Sequence, residues 1–204
     1  EIQYKRNGEA KTVTRSVQYK DGKLLDRKAN EYAGDNKFLN GTKAALDYIQ
    51  KNGADINAFD NKRTVKELSD SKKKISIREG GDYVSGSIYD KRSITFDPNG
   101  AKELLNEKGE IVGRQSAALE LLHEMGHAYM DIFYGVVAPA MPRVTNIEGL
   151  NEVRDQRLLI ENSIIPQFEN PAARKLGETP RKNYEQKANY YAPVSTTSAE
   201  KQKQ

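Results

Sequence analysis

The chain's two histidines, His123 and His127, stand four residues apart inside Leu119-Glu120-Leu121-Leu122-His123-Glu124-Met125-Gly126-His127-Ala128-Tyr129-Met130. The apolar spacing of this run predicts a helix, whose winding puts both imidazoles on one face about a turn apart. Two imidazoles in that register can bite one metal ion, with Glu124 beside them able to reach a water on it. No other histidine and no cysteine occurs in the 204 residues. A third protein ligand is therefore a carboxylate, and disulfides, thiolate ligands and cysteine nucleophiles are excluded.

Length suits one domain with a core of its own. Charged residues make up 30% of the chain and the formal net charge is +4. The excess sits in dispersed lysines such as Lys72-Lys73-Lys74, Lys201 and Lys203. No aromatic-interleaved basic stripe accompanies them, so no nucleic-acid partner is expected. No run of apolar residues reaches the length of a membrane span, and no internal repeat is present. The chain opens on Glu1 with neither Met nor a signal-peptide pattern, which predicts a piece processed from something longer.

In chain order, residues 1–35 read as extended: Lys11 to Tyr19 alternates, Asp21-Gly22 turns, and Leu24-Leu25 follows, giving a hairpin arm outside the main core. After Asn40-Gly41-Thr42, a helix is expected with Ala44, Ala45, Tyr48 and Ile49 as its apolar stripe, stopped by Asn52-Gly53. A short helix covers Thr64 to Ser69. Strands are expected at Ile75 to Ile77, Tyr83 to Tyr89 and Ser93 to Phe96, the last two as a hairpin. A loop then runs through Gly113 to a central helix from Gln115 to Phe133, capped by Ser116. Its buried stripe is Ala118, Leu121, Leu122, Met125, Tyr129 and Ile132, and Glu120, Glu124, His127 and Asp131 lie opposite. A helix from Ile147 to Asn162 carries Glu148, Glu152 and Asp155 on one stripe. Residues 166–184 read as a long surface loop, and residues 193–204 as a disordered tail. The domain proper is expected over 36–192.

A catalytic zinc takes three protein ligands and leaves one position open. His123 and His127 supply two; Glu152 is the first choice for the third and Glu148 the alternative. Asp155 is placed to accept a ring N–H of a ligand histidine, with Asp131 and Glu120 as competitors. Glu124 reads as the general base for hydrolysis of an amide. A Tyr or Arg from outside the helix is the usual donor to the developing oxyanion, and Tyr184 and Arg181 are candidates. Gly126, costly within a helix, would let another segment come close to the metal.

Four segments together, Leu122 to Tyr129, Asn151-Glu152-Val153-Arg154, Ile160-Glu161-Asn162 and Pro180-Arg181-Lys182-Asn183-Tyr184, resemble the NleD-like effector zinc metalloproteases. The resemblance runs from about Asp82 to Tyr184 and includes Ile94-Thr95-Phe96-Asp97-Pro98. It implies an α+β zincin-like fold: a small twisted mixed sheet with a backing helix, the histidine-bearing helix and a following ligand helix. It also matches Glu152 to the family's ligand carboxylate, and Glu161 and Asn162 to a Glu-Asn pair supporting the site. Members are type III secretion effectors or C-terminal toxin domains of larger bacterial toxins. The implied activity is a zinc (Zn2+) endopeptidase that is secreted, acts in a target-cell cytoplasm as a monomer, and cleaves a protein there. An immunity protein or a parent toxin shell would be its partners; Tyr19-Lys20-Asp21-Gly22-Lys23-Leu24 is reminiscent of sequence joining such a shell to its toxin. Two other readings stand beside it, a zincin-shaped binding module without turnover and a nuclease toxin.

Overall fold

The computed structural model describes residues 2–6, 9–13, 16–80, 88–90, 92–136 and 147–202, with side chains over 16–80, 92–136 and 155–202. The architecture is α+β, organised around α3 (Ala117–Tyr134). Every residue of α3 from Ala117 to Met130 is buried. A helix buried on all sides is a core helix, and here its polar face is dry as well as its apolar one. Ser116 caps it by accepting from Leu119 N at 3.3 Å, and Gly135, at φ 68°, ends it in the left-handed conformation.

On one side α3 packs against α1 (Lys37–Lys51), through Ala45, Leu46 and Ile49, and α2 (Thr64–Asp70), through Val65 and Leu68. Asn36 caps α1, accepting from Leu39 N at 2.9 Å, so this helix begins earlier than expected. Beside it lies a mixed sheet in which β7 (Ser93–Phe96) pairs parallel with β5 (Ser76–Glu79) and antiparallel with β6 (Ile88–Asp90). Of the strand expected from Tyr83, residues 83–87 fall outside the described residues.

Four expectations fail. The supposed loop before α3 is a sheet: β8 (Ala101–Leu105) and β9 (Ile111–Gln115) form a hairpin, and β10 (Ala188–Tyr191) adds antiparallel to β8, in the order β10-β8-β9. Asn106 organises its turn by accepting from Lys108 N and Glu110 N, each at 2.9 Å. The supposed surface loop from 166 continues α4 (Ile147–Ile164) through a π-helical turn, Ile165–Glu169, into α5 (Asn170–Leu176). Pro166 and Pro171 are the second residues of these segments, and the backbone stays helical through both joins. The supposed disordered tail folds back onto the domain: Ala118 N donates to Thr196 O at 3.0 Å, and Val194 N to Glu200 O at 2.9 Å.

The hairpin of β3 (Gln18–Lys20) and β4 (Lys23–Leu25) is also no detached arm. Leu24 is buried, and the Tyr19 hydroxyl reaches Gln50 Oε1 on α1 at 2.6 Å. A second hairpin joins β1 (Ile2–Arg6) to β2 (Glu9–Val13). Among the described residues no helix is long and apolar enough to cross a membrane.

Gly126 fixes how closely the π-helical turn approaches α3. A Cβ there would stand 2.9 Å from Phe168 Cγ and 3.1 Å from Ile164 Cγ2. Alanine would gain roughly 1 kcal/mol of helix propensity, against an overpacking cost of about 1–3 kcal/mol. Gly126→Ala should therefore lower the thermal midpoint by roughly 2–5 °C in a circular-dichroism melt. An unchanged or raised midpoint would show that Phe168 moves aside freely.

Candidate metal centre

His123, Glu124 and His127 project from α3 together with Glu120, at spacings that keep all four on one side of the helix. The two Nε2 atoms stand 3.3 Å apart. Glu161 Oε2, carried on α4, is 3.1 Å from each of them. All three residues are buried, and this group could hold a metal ion. Tetrahedral ligands at bonds of about 2.0–2.2 Å stand about 3.3–3.5 Å from one another, close to the triangle observed.

Glu161 thus occupies the place for which the sequence offered Glu152 or Glu148. The side chains of those two lie outside the described residues. Arg157, one turn before Glu161, brings Nε to 3.5 Å from Oε1, the oxygen turned away from the histidines.

The opposite ring nitrogen of His123 has its own partner. Glu169 Oε2 lies 2.8 Å from Nδ1, an arrangement that would hold the proton on Nδ1 and turn the Nε2 lone pair towards a metal ion bound in the triangle. Asp155, expected in that role, is exposed, and Glu120 and Asp131 face cations instead: Lys102 and, at 4.0 Å, Arg92. Glu169 is reachable only because of the π-helical turn. Eight residues along an ideal α-helix, it would point roughly 80° away from Glu161. The wider turn winds less per residue and brings the two carboxylates to the same side. Gln115, the last residue of β9, donates from Nε2 to Glu169 Oε1 at 2.9 Å, and Arg181 Nη1 approaches Oε2 at 3.4 Å.

Arg181 and Tyr184 come close to the centre in a different way from that expected. Asn170 clamps the Arg181 backbone, accepting from its N at 2.7 Å and donating to its O at 2.9 Å. The guanidinium sits over the Tyr184 ring at 5.3 Å and donates to the Tyr184 carbonyl at 3.2 Å. Asn162 accepts from Tyr184 N at 3.2 Å, tying this segment to α4. Arg181 therefore ties Glu169 to the Tyr184 segment.

The electrostatics agree with the geometry. Burial drives both imidazoles towards neutrality, but Glu161 and Glu169 outweigh it at His123 and push that ring up to about 10. His127 is lowered, by burial and by its neighbour His123. Burial also opposes ionisation of Glu161, yet the two histidines hold it far below the ordinary carboxylate range. Glu169 is held low against burial by Lys102, His123 and Arg181. Two anions flank rings that cannot both be cationic at this separation; the pocket favours one positive charge between them.

No protein-family model, curated protein or solved structure matches the chain. The centre is therefore read from its own atoms. Sequence reasoning missed Glu169, Gln115 and Lys102, and gave Glu161 only a supporting part. The available signal for Glu161 was its setting, a carboxylate between Ile160 and Ile164-Ile165.

Removing either carboxylate separates their roles. Glu161→Ala should abolish stoichiometric metal retention, measured by mass spectrometry after gel filtration. Glu169→Gln should keep the ligand set and weaken affinity about 10–100-fold in a competitive chelator titration. Full retention by Glu161→Ala would show that another residue supplies the third ligand.

Proposed function

We propose that the protein is a zinc-dependent endopeptidase. The observation that carries the proposal is the buried triangle of His123, His127 and Glu161 with Glu124 next to the first histidine on the same helix face. Two imidazoles and a carboxylate also serve non-haem iron oxygenases. What favours zinc and hydrolysis is Glu124, a carboxylate adjacent to the ligands and able to take a proton at the open position.

A zinc ion in this triangle supplies a Lewis acid and an acidified water. Glu124 would accept the proton of the attacking water as its oxygen bonds to the amide carbon, and would return it to the nitrogen as the C–N bond breaks. Glu169 would keep the His123 proton on Nδ1, so that the Nε2 lone pair faces the metal. Burial keeps competing water out of the pocket and strengthens each of these interactions.

The resemblance to NleD-like effectors supports a biological setting: a secreted bacterial effector or toxin domain that cleaves a protein in the target-cell cytoplasm, with a parent shell or immunity protein as partner. The zincin-like fold belongs to the same proposal.

Glu124→Gln should retain zinc and lose peptide hydrolysis by at least 10²–10⁴-fold. 1,10-Phenanthroline should abolish wild-type hydrolysis and added Zn2+ restore it. New protein termini in target cells expressing wild type, absent with Glu124→Gln, would identify the substrate. A Glu124→Gln protein as toxic as wild type would favour a binding module, and nucleic-acid degradation persisting without zinc would favour a nuclease.

A further inference from the structure

Three residues stand side by side across the β10-β8-β9 sheet: Tyr190 is paired with Lys102, and Lys102 with Gln115. Directly opposed residues of antiparallel strands project from the same face. The inner two show where that face points. Gln115 reaches Glu169 behind His123, and Lys102 pairs with Glu120 on α3, one turn before Glu124. The row is therefore a wall facing the polar side of α3. Lys102 and Gln115 are buried, whereas Tyr190, on the edge strand, is only half-buried.

Tyr190 thus carries a phenol to the open end of this wall. Its hydroxyl feels Glu120 most strongly, then burial, and also Arg181, Glu124 and Tyr184; the net effect raises it above the ordinary phenol value. Such a phenol stays protonated and remains a donor. No hydrogen bond joins its hydroxyl to another described residue. Tyr184, the tyrosine favoured by sequence, comes from the segment after α5 and not from this wall; its ring lies against Arg181, and its phenol too feels Glu161 and Glu124.

We propose that Tyr190 is the hydroxyl that donates to the substrate carbonyl oxygen as that oxygen gains negative charge. The assignment rests on the endopeptidase reading. The phenol makes a hydrogen bond and transfers no proton; Glu124 handles the proton from water to the amide nitrogen. Its contribution is to the transition state, so its loss lowers kcat more than it raises KM.

The test compares zinc-loaded full-length wild type, Tyr190→Phe and Tyr184→Phe, with zinc content and melting temperature as controls for folding. Two quantities are read: cleavage of a random peptide library by mass spectrometry, and affinity for acetohydroxamate by calorimetry. Tyr190→Phe should bind zinc as wild type does, cleave about 100-fold more slowly, and bind acetohydroxamate about tenfold more weakly. Tyr184→Phe should lose less hydroxamate affinity than Tyr190→Phe. Equal hydroxamate affinity in wild type and Tyr190→Phe overturns the assignment whatever the library shows. A tenfold loss in Tyr190→Phe, with no peptide cut by wild type, keeps Tyr190 as donor to a bound oxyanion and sinks the endopeptidase reading instead.

Discussion

One carboxylate oxygen of Glu161 lies 3.1 Å from two imidazole nitrogens that are themselves 3.3 Å apart, all inside the protein. Three electron-rich atoms so close repel unless a positive charge stands among them. A proton can serve one pair of the three; a metal ion serves all. Among the described residues the centre also gathers the buried acids Glu120, Glu124, Glu161 and Glu169 and the cations Lys102, Arg181 and Arg157.

The geometry of that centre depends on packing elsewhere. Phe168 lies over Gly126, between the two histidines in sequence, and Glu169 follows Phe168 directly. The missing side chain at 126 is what lets the π-helical turn come down onto α3, and that descent delivers Glu169 to His123 Nδ1. A glycine in mid-helix is unfavourable for the helix alone. Here it converts a local loss into close approach of the segment that orients a ligand. Gly126 does admit another element, as its place in the sequence suggested, but the element is an aromatic side chain and the approach is to the back of the ligand histidine.

What was legible in the sequence was local. His123, Glu124 and His127 declare themselves because helical winding alone fixes their relation, and Ser116 caps the helix as its residue type suggests. The carboxylate that meets the two histidines was not legible, because α4 reaches the centre through tertiary packing and carries several carboxylates. Glu148, Glu152 and Asp155 formed the more regular stripe, but among the described residues Glu161 is the α4 carboxylate buried beside the histidines. Strand β8 was hidden for a related reason: Lys102 and Glu103 look like surface residues, and only Glu120 and Arg114 explain their burial. The run from Pro166 read as a loop because Pro, Gly and Asn are frequent in it, yet the chain stays helical through Pro166 and Pro171.

Lys102 shows why such a wall is built from charge at all. A buried Lys–Glu pair is a poor stabiliser, since removing two charges from water costs about as much as their attraction returns. Apolar residues of similar volume would hold β8 against α3 as well. They would withdraw one of the charges that hold Glu169 ionised, for Lys102 lowers that carboxylate together with His123 and Arg181. An ionised Glu169 is what fixes the His123 proton on Nδ1 and frees Nε2. The pair is therefore best understood through its effect two contacts away: charge buried in a strand sets the tautomer of a ligand on a helix, and the triangle at Glu161 depends on that tautomer.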